Sequence, residues 1–300
     1  MKEILKRFNH DTITLIHKEF SAAIKAHSRW LHELHCGLVA EEAMPKEFLI
    51  SESHRFCPFG KWLYHGRNNL LEDIEAMQGI EKVHKLMHEE AYALATMYRN
   101  QTPIPVIKYN AFVQHLSSYS EQLSNFRDSL QEAGTMFDSL TGLFSRQAMM
   151  SLISNEHTLV LRGEQSCALA MLDLDHFKAV NDVHGHQAGD IVLHQTAQHI
   201  LNSLRPYDMA FRYGGEEFLI CLPNSDIDTS LQVMDRLRSE VDTLPIFLPD
   251  NETLHVTVSI GVAALSPDES LEQTISNADK ALYTAKESGR NKVILSETKA

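Results

Sequence analysis

The spacing of apolar residues changes once along this 300-residue chain, and the change divides it into two parts that need different folds. Up to about residue 137, apolar side chains recur at steps of three and four, the spacing that places them on one face of an α-helix. After Gly142 they occur in short β-type runs separated by helical stretches. We therefore expect an α+β chain with an all-α N-terminal domain and a C-terminal α/β domain whose sheet is flanked by helices.

Three segments of the N-terminal part carry an apolar stripe, and Pro58 suits the first turn of a shorter helix after Cys57. Together they predict a four-helix bundle. In the third segment the steps of three and four alternate without a break, which is the repeat of a coiled-coil seam, so the last helix is expected to continue as a stalk. The stripes are Ile13, Ile16, Phe20, Ile24, His27, Leu31, Leu34 and Leu38; Met77, Ile80, His84, His88, Ala91 and Ala95; and Tyr109, Phe112, Leu116, Tyr119, Leu123, Phe126, Leu130, Ala133 and Phe137.

The charge balance excludes some classes of partner. The chain has 27 basic and 40 acidic residues, a net charge of −13, which argues against sequence-independent binding to nucleic acid or to an anionic membrane. No apolar run approaches the roughly 18 residues of a membrane span, and the first residues lack the apolar core of a signal peptide. A cytoplasmic location with four reduced cysteines is expected.

Acidic residues stand at two strand ends of the C-terminal part. The glycines at 214–215 lie between two β-type runs and predict a tight hairpin, and Glu216 and Glu217 follow them. Asp173 and Asp175 end an apolar strand, where α/β sheets place ligands. If the strand and the hairpin are neighbours, Asp173 and Glu216 converge as oxygen ligands for a cation of the Mg²⁺ type. Solvated surface carboxylates are the alternative reading of the same spacing.

Nine ordered blocks in this part resemble a GGDEF domain, the catalytic domain of diguanylate cyclases, over about residues 138–295. The resemblance implies a fold like the palm of polymerases and nucleotidyl cyclases, and condensation of two GTP into cyclic di-GMP with release of two pyrophosphates. The blocks are Asp138-Ser-Leu-Thr-Gly-Leu143, Asp173-Leu-Asp-His-Phe-Lys178, Asn181-Asp182, Gly185-His186, Gly189-Asp190, Arg212-Tyr-Gly-Gly-Glu-Glu-Phe218, Ser259-Ile-Gly-Val262, Ala278-Asp279-Lys280-Ala281-Leu282-Tyr283 and Lys286-Glu-Ser-Gly-Arg-Asn291.

The resemblance also implies roles for individual residues. Asp173 and Glu216, with the backbone carbonyl of Leu174, would hold two Mg²⁺, and Glu217 would lie near the attacking hydroxyl as a base or as an orienting group. The residues implied to bind GTP are Asn181 and Asp190 for the guanine edge, Phe177 as pocket lining, Gly214 and Gly215 for close backbone approach, and Lys178, Lys286 and Arg290 for the β- and γ-phosphates.

A second, regulatory site is implied by the same resemblance. Arg205 and Asp208 stand in an RxxD pattern before the hairpin, where the family binds its product and is inhibited by it, and Arg236 resembles the arginine contributed from a second surface. One departure is visible, because Ser145 stands where the family usually has Asn. Ser145 is not among the residues implied to bind metal or guanine.

The N-terminal part carries a pattern of metal-ligand residues. His84 and His88 are four apart and share a helix face, His27 lies on the stripe of the first helix, and Cys57 precedes another helix. Three imidazoles and a thiolate would complete a closed tetrahedral zinc site. The alternative interpretation of the same pattern is that these are ordinary buried core residues.

The sequence segments around these residues resemble the chemoreceptor zinc-binding (CZB) domain over about residues 12–128. Carried over, the resemblance makes His27, Cys57, His84 and His88 the ligands of one Zn²⁺ per bundle. The segments are Ala26-His27-Ser-Arg-Trp-Leu31, Cys57-Pro-Phe-Gly-Lys-Trp62 and Val83-His84-Lys-Leu-Met-His88.

These features predict a zinc-binding bundle over residues 1–128, a helical linker over 129–137 and a diguanylate cyclase domain over 138–300. Because each active site holds one GTP, a homodimer is required for turnover, and zinc in the bundle is expected to regulate it. Two other classes stay open: a non-catalytic cyclic di-GMP receptor, and a metal buffer or scaffold. The input signal is also open, since Cys57 could sense oxidants as well as hold zinc.

Overall fold

The computed structural model describes residues 4–5, 8–39, 44–65, 71, 73–249 and 252–297. The chain forms two compact units, Met1–Gly134 and Thr135–Ala300. Among the helices of the described ranges, none combines the length and the apolar character needed to cross a membrane.

The N-terminal unit is helical, as its apolar stripes predict. Its first and fourth helices bury most of their stripes, including His27, His84 and His88. Pro58 starts a short helix, and the prolines after the fourth helix separate it from the fifth. The elements are α1 (His10–Val39), a 3-10 turn (Lys46–Leu49), α2 (Ser53–Phe56), α3 (Pro58–His65), α4 (Glu75–Arg99) and α5 (Val106–Thr135).

An aromatic cluster holds three of these helices together. Phe20 of α1 packs edge-on against Phe59 and Trp62 of α3, at ring-centroid distances of 6.0 and 5.3 Å, and against Phe126 of α5 at 5.2 Å. Edge-to-face packing is the favoured arrangement of buried aromatic rings. The cluster fixes α3 and α5 on α1, beside the buried histidines.

The stripe predicted along residues 109–137 is largely buried within the single chain. Its buried members, which form a core face of α5, are Phe112, Tyr119, Leu123, Phe126, Leu130 and Ala133. The helix also ends at Thr135, before the seam does. The Ser145 amide donates to the Met136 carbonyl at 2.7 Å, and Phe137 forms a β-bridge with Phe144, so these contacts draw the chain out of the helix.

The C-terminal unit is a six-stranded mixed sheet in the order β1-β3-β4-β2-β7-β8, with a separate two-stranded β5-β6 hairpin. The helices and strands are β1 (Phe144–Ser145), α6 (Arg146–Leu161), β2 (Cys167–Leu174), α7 (Phe177–His184), α8 (His186–Ser203), β3 (Met209–Gly214), β4 (Glu217–Pro223), α9 (Ile227–Thr243), β5 (Ile246–Phe247), β6 (Thr253–Leu254), β7 (Val258–Ala264), α10 (Leu271–Glu287) and β8 (Val293–Leu295).

Strand β2 is the centre of this sheet. It is buried along its whole length, and both its neighbours, β4 and β7, run antiparallel to it. Alternate residues of β2 contribute to two hydrophobic clusters, one with α8 and α9 and one with α6 and α10. Both faces of the sheet are thus covered by helices, which confirms the predicted α/β architecture.

The structure gives a local role to Ser145, the visible departure from the family pattern. Ser145 caps α6, because its hydroxyl accepts a hydrogen bond from the Ala148 amide at 3.4 Å. A serine is an effective helix cap, so the departure from the family pattern has a structural use here.

Helix α10 packs closely on β7 at Gly261. A Cβ at this position would overlap the Ala278 carbonyl oxygen and the Leu282 amide nitrogen of α10. We expect Gly261→Ala to destabilise the C-terminal unit by about 3 kcal/mol, because backbone cannot yield as a flexible side chain can. Urea unfolding measures the loss.

Gly134→Ala is the matched control for this substitution. Gly134 lies within α5, and among the described residues no atom lies within 4 Å of the place that an added methyl group would take. Alanine favours a helix over glycine by about 1 kcal/mol, so the control is expected to be neutral or stabilising. Equal losses for both variants would contradict the close packing at Gly261.

Candidate functional site

Three carboxylates lie at one edge of the sheet, where β2 ends beside the β3–β4 hairpin. Asp173 of β2 is directly paired with Glu217 of β4, and the Leu174 amide donates to the Glu216 carbonyl at 3.4 Å. Gly215, in the turn, has a positive φ of 33°. The predicted neighbourhood of strand and hairpin is therefore present, and it brings Glu216 and Glu217 alongside Asp173.

The electrostatics of this edge suit a cation. Asp173 is buried, and burial is the main reason why its pKa is raised to about 6, with Glu216 and Glu217 adding to the rise and Lys286 opposing it. Lys286 Nζ lies 2.8 Å from Asp173 Oδ2. Clustered acidic oxygens at a strand end match the donor set of Mg²⁺, which prefers carboxylate and carbonyl oxygen. The residues present fit that ion.

Asp175, the acidic residue directly after β2, makes its hydrogen bonds to residues outside the carboxylate edge. Its Oδ1 accepts from the Ser259 hydroxyl at 2.7 Å, and its Oδ2 accepts from the Thr257 hydroxyl at 2.7 Å and from the Asn291 amide at 3.1 Å. The side chain is buried. Asp175 thus connects β2 to β7 and to the segment after α10.

The hairpin turn is held by an arginine whose role the sequence did not indicate. Arg212 donates from Nε and Nη2 to the Gly215 carbonyl, at 3.2 and 3.0 Å, and from Nη1 to Asp138 at 3.1 Å. Burial alone would raise the pKa of Asp138, but hydrogen bonds from Thr141 and the charge of Arg212 hold it below its ordinary value. Asp138 and the hairpin are therefore joined through one side chain.

The residues expected at the guanine edge lie on adjacent helices. Asn181 is on α7 and Asp190 on α8, and Phe177 is buried beneath them. Gly189 makes this possible, since a Cβ there would overlap the Asn181 side chain and approach the Phe177 ring at 3.2 Å. Asp190 also lines a cavity of about 490 Å³ whose wall includes Leu140 and is largely apolar. Neither Asn181 nor Phe177 lines this cavity, so the cavity does not by itself define a guanine pocket.

The three expected phosphate ligands are placed differently. Lys178, on α7, and Arg290, after α10, are exposed. Lys286, four residues before Arg290, is paired with Asp173, so it lies at the carboxylate edge and would exchange that partner for a phosphate. The structure gives these three side chains no common contact.

The RxxD segment forms a compact turn. The Arg205 amide donates to Asp208 Oδ2 at 2.9 Å, and the Asp208 amide donates to the Arg205 carbonyl at 3.0 Å. Arg236, on α9, donates to the Ser203 carbonyl at 2.9 Å, so it lies beside this turn within the same unit. Tyr207, which is exposed and accepts from the Arg205 guanidinium at 3.2 Å, is an additional member that the sequence did not indicate.

A second cluster lies in the core of the N-terminal unit. His27 of α1, Cys57 at the α2–α3 junction, and His84 and His88 of α4 are buried, and one ligand atom from each lies within 4.8 Å of all the others. His27 Nε2 is 3.1 Å from His88 Nε2 and 3.3 Å from His84 Nε2, and Cys57 Sγ is 3.3 Å from His84 Nε2. With bonds of about 2.0–2.1 Å, a tetrahedral zinc ion separates its nitrogen ligands by about 3.3 Å. The cluster therefore fits zinc.

Neighbouring groups orient these side chains. The Ser53 hydroxyl is 2.9 Å from His88 Nδ1, and the Gly60 amide donates to Cys57 Sγ at 3.1 Å. A hydrogen bond at Nδ1 leaves the Nε2 lone pair free for an ion. Gly60 is needed for this geometry, because a Cβ there would overlap the His54 carbonyl.

The buried environment keeps the imidazoles in the form that binds metal. Burial lowers the pKa of His27 to about 3 and lowers that of His84 and His88 as well, while burial raises the pKa of Cys57 to about 11. Within the described residues, His84 Nδ1 and the buried Tyr119 hydroxyl have no hydrogen-bond partner. Unpaired buried polar atoms are rare, and these two lie on a candidate ligand and on a ring whose centroid is 5.2 Å from it.

Comparisons with known proteins cover both units. Residues 135–292 match the family model of the diguanylate cyclase GGDEF domain. Diguanylate cyclase DgcZ of Escherichia coli (strain K12) is 30% identical over 272 residues, 90% of each chain. The solved coiled coil and GGDEF domain of DgcB from Caulobacter crescentus, in complex with c-di-GMP, superposes with a TM-score of 0.56 at 31% identity, over 62% of this chain and 99% of that one.

A third relative is diguanylate cyclase SiaD from Pseudomonas aeruginosa, solved in complex with its activator SiaC. It superposes with a TM-score of 0.54 at 33% identity and covers 79% of this chain and 91% of that one. The DgcZ alignment spans nine-tenths of the chain, and so reaches into both units.

Proposed function

Because the chain belongs to the GGDEF family of diguanylate cyclases, we propose that it condenses two GTP molecules into cyclic di-GMP under the control of zinc. The observation that carries the proposal is the carboxylate edge, where Asp173, Glu216 and Glu217 lie together beside Lys286. In the reaction each 3′-hydroxyl oxygen bonds to the α-phosphorus of the other GTP. Two pyrophosphates leave and two protons are released.

Asp173, Glu216 and the Leu174 carbonyl are the groups that would hold two Mg²⁺. Such ions, when bound, favour loss of the hydroxyl proton and neutralise charge on the α-phosphate. Glu217, paired with Asp173 across the strands, would orient the attacking hydroxyl or accept its proton. Arg212 fixes the turn that carries both glutamates.

Guanine selection would rest on Asn181 and Asp190. A carboxylate accepts hydrogen bonds from guanine N1–H and N2–H₂, and adenine offers no such pair of donors. Phe177 supports the pocket, and Gly214 and Gly215 let the backbone approach the nucleotide. Lys178, Lys286 and Arg290 would bind the β- and γ-phosphates, as local cations in an acidic chain.

Two copies of the chain are needed for turnover, since one active site supplies one GTP. The two C-terminal domains must face each other before either hydroxyl can reach the other α-phosphate. We assign residues 1–128 to the zinc-binding domain, 129–137 to the linker and 138–300 to the cyclase domain. Any homodimer contact that sets the distance between the two active sites will set the rate.

In the N-terminal domain, His27, Cys57, His84 and His88 would hold one zinc ion. Four protein ligands from three helical segments close the coordination sphere, which is typical of a structural or regulatory ion and not of a catalytic one. Occupancy would change the packing of α1, α3 and α4 against α5, the last helix before the cyclase domain, and shift the fraction of productive dimers.

Product inhibition at the RxxD turn gives a testable consequence. Arg205→Ala removes the guanidinium that would bind a cyclic di-GMP phosphate, so the product concentration that halves the initial rate is expected to rise about tenfold or more. Initial rates at increasing cyclic di-GMP measure it. Arg162→Ala, on the surface after α6, is the matched control. An unchanged inhibition curve for Arg205→Ala would count against this site.

Incubation of the purified chain with GTP and Mg²⁺, followed by detection of cyclic di-GMP and pyrophosphate, tests the proposed activity. The amount of cyclic di-GMP formed should equal half the amount of GTP consumed. A chain that binds cyclic di-GMP and forms none would be the non-catalytic receptor, and one that binds neither nucleotide would be a metal-binding scaffold.

A further inference from the structure

We infer that Asp175 is a positioning residue that holds Arg290 in place for the triphosphate of GTP. The inference rests on the proposed function and concerns how that site is built. The hydrogen bonds of Asp175 go to Thr257, Ser259 and Asn291, none of which is an expected ligand of the metal or the base. It acts on the segment Gly289–Asn291, between α10 and β8, through a hydrogen bond to the backbone.

This segment has an unfavourable backbone conformation. Gly289, Arg290 and Asn291 have φ values of 107°, 60° and 47°, three consecutive residues in the left-handed region. The Cβ of arginine makes this region costly, while asparagine tolerates it better, so the surrounding structure must hold Arg290 there. Residues held in this way are concentrated at functional sites.

Hydrogen bonds on both sides impose the conformation. The Arg290 amide donates to the Ala285 carbonyl at 3.0 Å, and the Asn291 amide donates to Asp175 Oδ2 at 3.1 Å. The Asn291 side chain accepts from Arg238 at 2.9 Å and donates to Asp242 at 3.1 Å. The peptide between Arg290 and Asn291 is therefore fixed, and with it the point from which the Arg290 side chain extends.

Asp175 is itself rigid. It is 5% exposed, and the hydroxyls of Thr257 and Ser259 each donate to it at 2.7 Å. Charge-assisted hydrogen bonds of this length are strong, and a buried carboxylate with three donors has little freedom. The sheet core thus sets the position of the segment.

The two acidic residues at the end of β2 then have complementary roles. Asp173 contacts Lys286 directly, and Asp175 fixes the backbone beside Arg290, four residues further on. Two of the three expected phosphate-binding cations, Lys286 and Arg290, are in this way tied to the end of the strand that carries Asp173. The loss of Asp175 should weaken binding of the triphosphate and spare binding of the base.

Because GTP itself would be consumed, the triphosphate probe is its 3′-deoxy analogue, called GTP below, which lacks the attacking hydroxyl. Its affinity for the full chain in the presence of Mg²⁺ is compared with that of GMP by calorimetry. GMP carries the same base without the β- and γ-phosphates. Asp175→Asn is expected to weaken GTP about tenfold and GMP less than twofold, since it removes a charge-assisted acceptor of the Asn291 amide. In a chain that already carries Arg290→Ala, the same substitution is expected to change GTP affinity little, because the residue that it positions is gone.

Control variants separate this role from a general loss of stability. Asp268→Asn, an exposed acid beyond the opposite end of β7, should leave both affinities unchanged. If Asp175→Asn does not fold, Thr257→Val removes one hydrogen bond to Asp175 and should shift the GTP-to-GMP ratio in the same direction, by a smaller factor.

Either of two results would overturn the inference. One is a lower melting temperature with an unchanged GTP-to-GMP ratio, which is what a purely structural carboxylate produces. The other is full additivity of Asp175→Asn and Arg290→Ala. A wild-type chain that binds no GTP would instead overturn the proposed function, so the two failures are distinguishable.

Discussion

Glu216→Gln is expected to abolish the formation of cyclic di-GMP, with a loss of at least about 10³-fold in turnover. The substitution keeps the shape of the side chain and removes a charged oxygen from the edge that would hold Mg²⁺, where transition-state stabilisation is worth several kcal/mol. The strand pairing of Asp173 with Glu217 does not depend on this side chain, so the fold should persist. Initial rates from GTP, with GMP binding measured in parallel, check both expectations.

Asp268→Asn is the matched control, because it removes one negative charge outside the carboxylate edge. It should retain wild-type turnover. Substantial cyclic di-GMP formation by Glu216→Gln, within about tenfold of wild type, would remove Glu216 from the metal-binding set and leave Asp173 without its expected partner.

The second large effect is expected in the bundle. The wild-type chain should bind one zinc per chain, and Cys57→Ser should lower the zinc affinity on the order of 100-fold or more, because the alcohol does not supply the thiolate that completes the ligand set. Zinc at 100 times its dissociation constant adds about 2.7 kcal/mol to the free energy of unfolding. The rise in melting temperature on adding zinc should therefore be large for wild type and small for Cys57→Ser.

Cys36→Ser provides the comparison within the same chain. Cys36 is a partly buried cysteine of α1 whose sulfur lies 3.5 Å from His32 and outside the four-residue cluster. It should keep the zinc content and the melting-temperature shift of wild type. Equal zinc content in Cys57→Ser and wild type would contradict the assigned ligand set.

Much of the fold was predictable because its periodicities are long and regular. The stripes of α1 and α4 and the all-apolar strand β2 each carry a strong local signal. The stripe of α5 was ambiguous, since the same spacing of three and four occurs in a coiled-coil seam and on the core face of a bundle. Only the burial of residues such as Tyr119 and Leu130 separates the two.

The site was predictable where residues that act together are close in sequence or belong to one motif. Asp173, Glu216 and the four zinc-ligand candidates are of this kind. The contacts of Arg212 with Asp138 and of Asp175 with Asn291 join residues 74 and 116 positions apart, and depend on strand register and on a left-handed loop. Tyr119 was visible only as an apolar-stripe residue, although its buried hydroxyl finds no hydrogen-bond partner among the described residues.

Histidine content was a partial guide. Ten of the 17 histidines lie in residues 1–137, which pointed to the correct domain, but only three of them join the buried cluster. His32 and His35 make local contacts on α1 instead. Composition could not tell ligands from neighbours, because ligation depends on which helix faces meet.

Control of the cyclase by zinc is tested most directly by one comparison of rates. The rate of cyclic di-GMP formation by the zinc-loaded chain is measured before and after addition of a strong zinc chelator with little affinity for Mg²⁺, with Cys57→Ser treated in the same way. We expect wild-type turnover to change about fivefold or more and to return when zinc is restored, while Cys57→Ser does not respond. Identical wild-type rates with and without zinc would contradict the coupling.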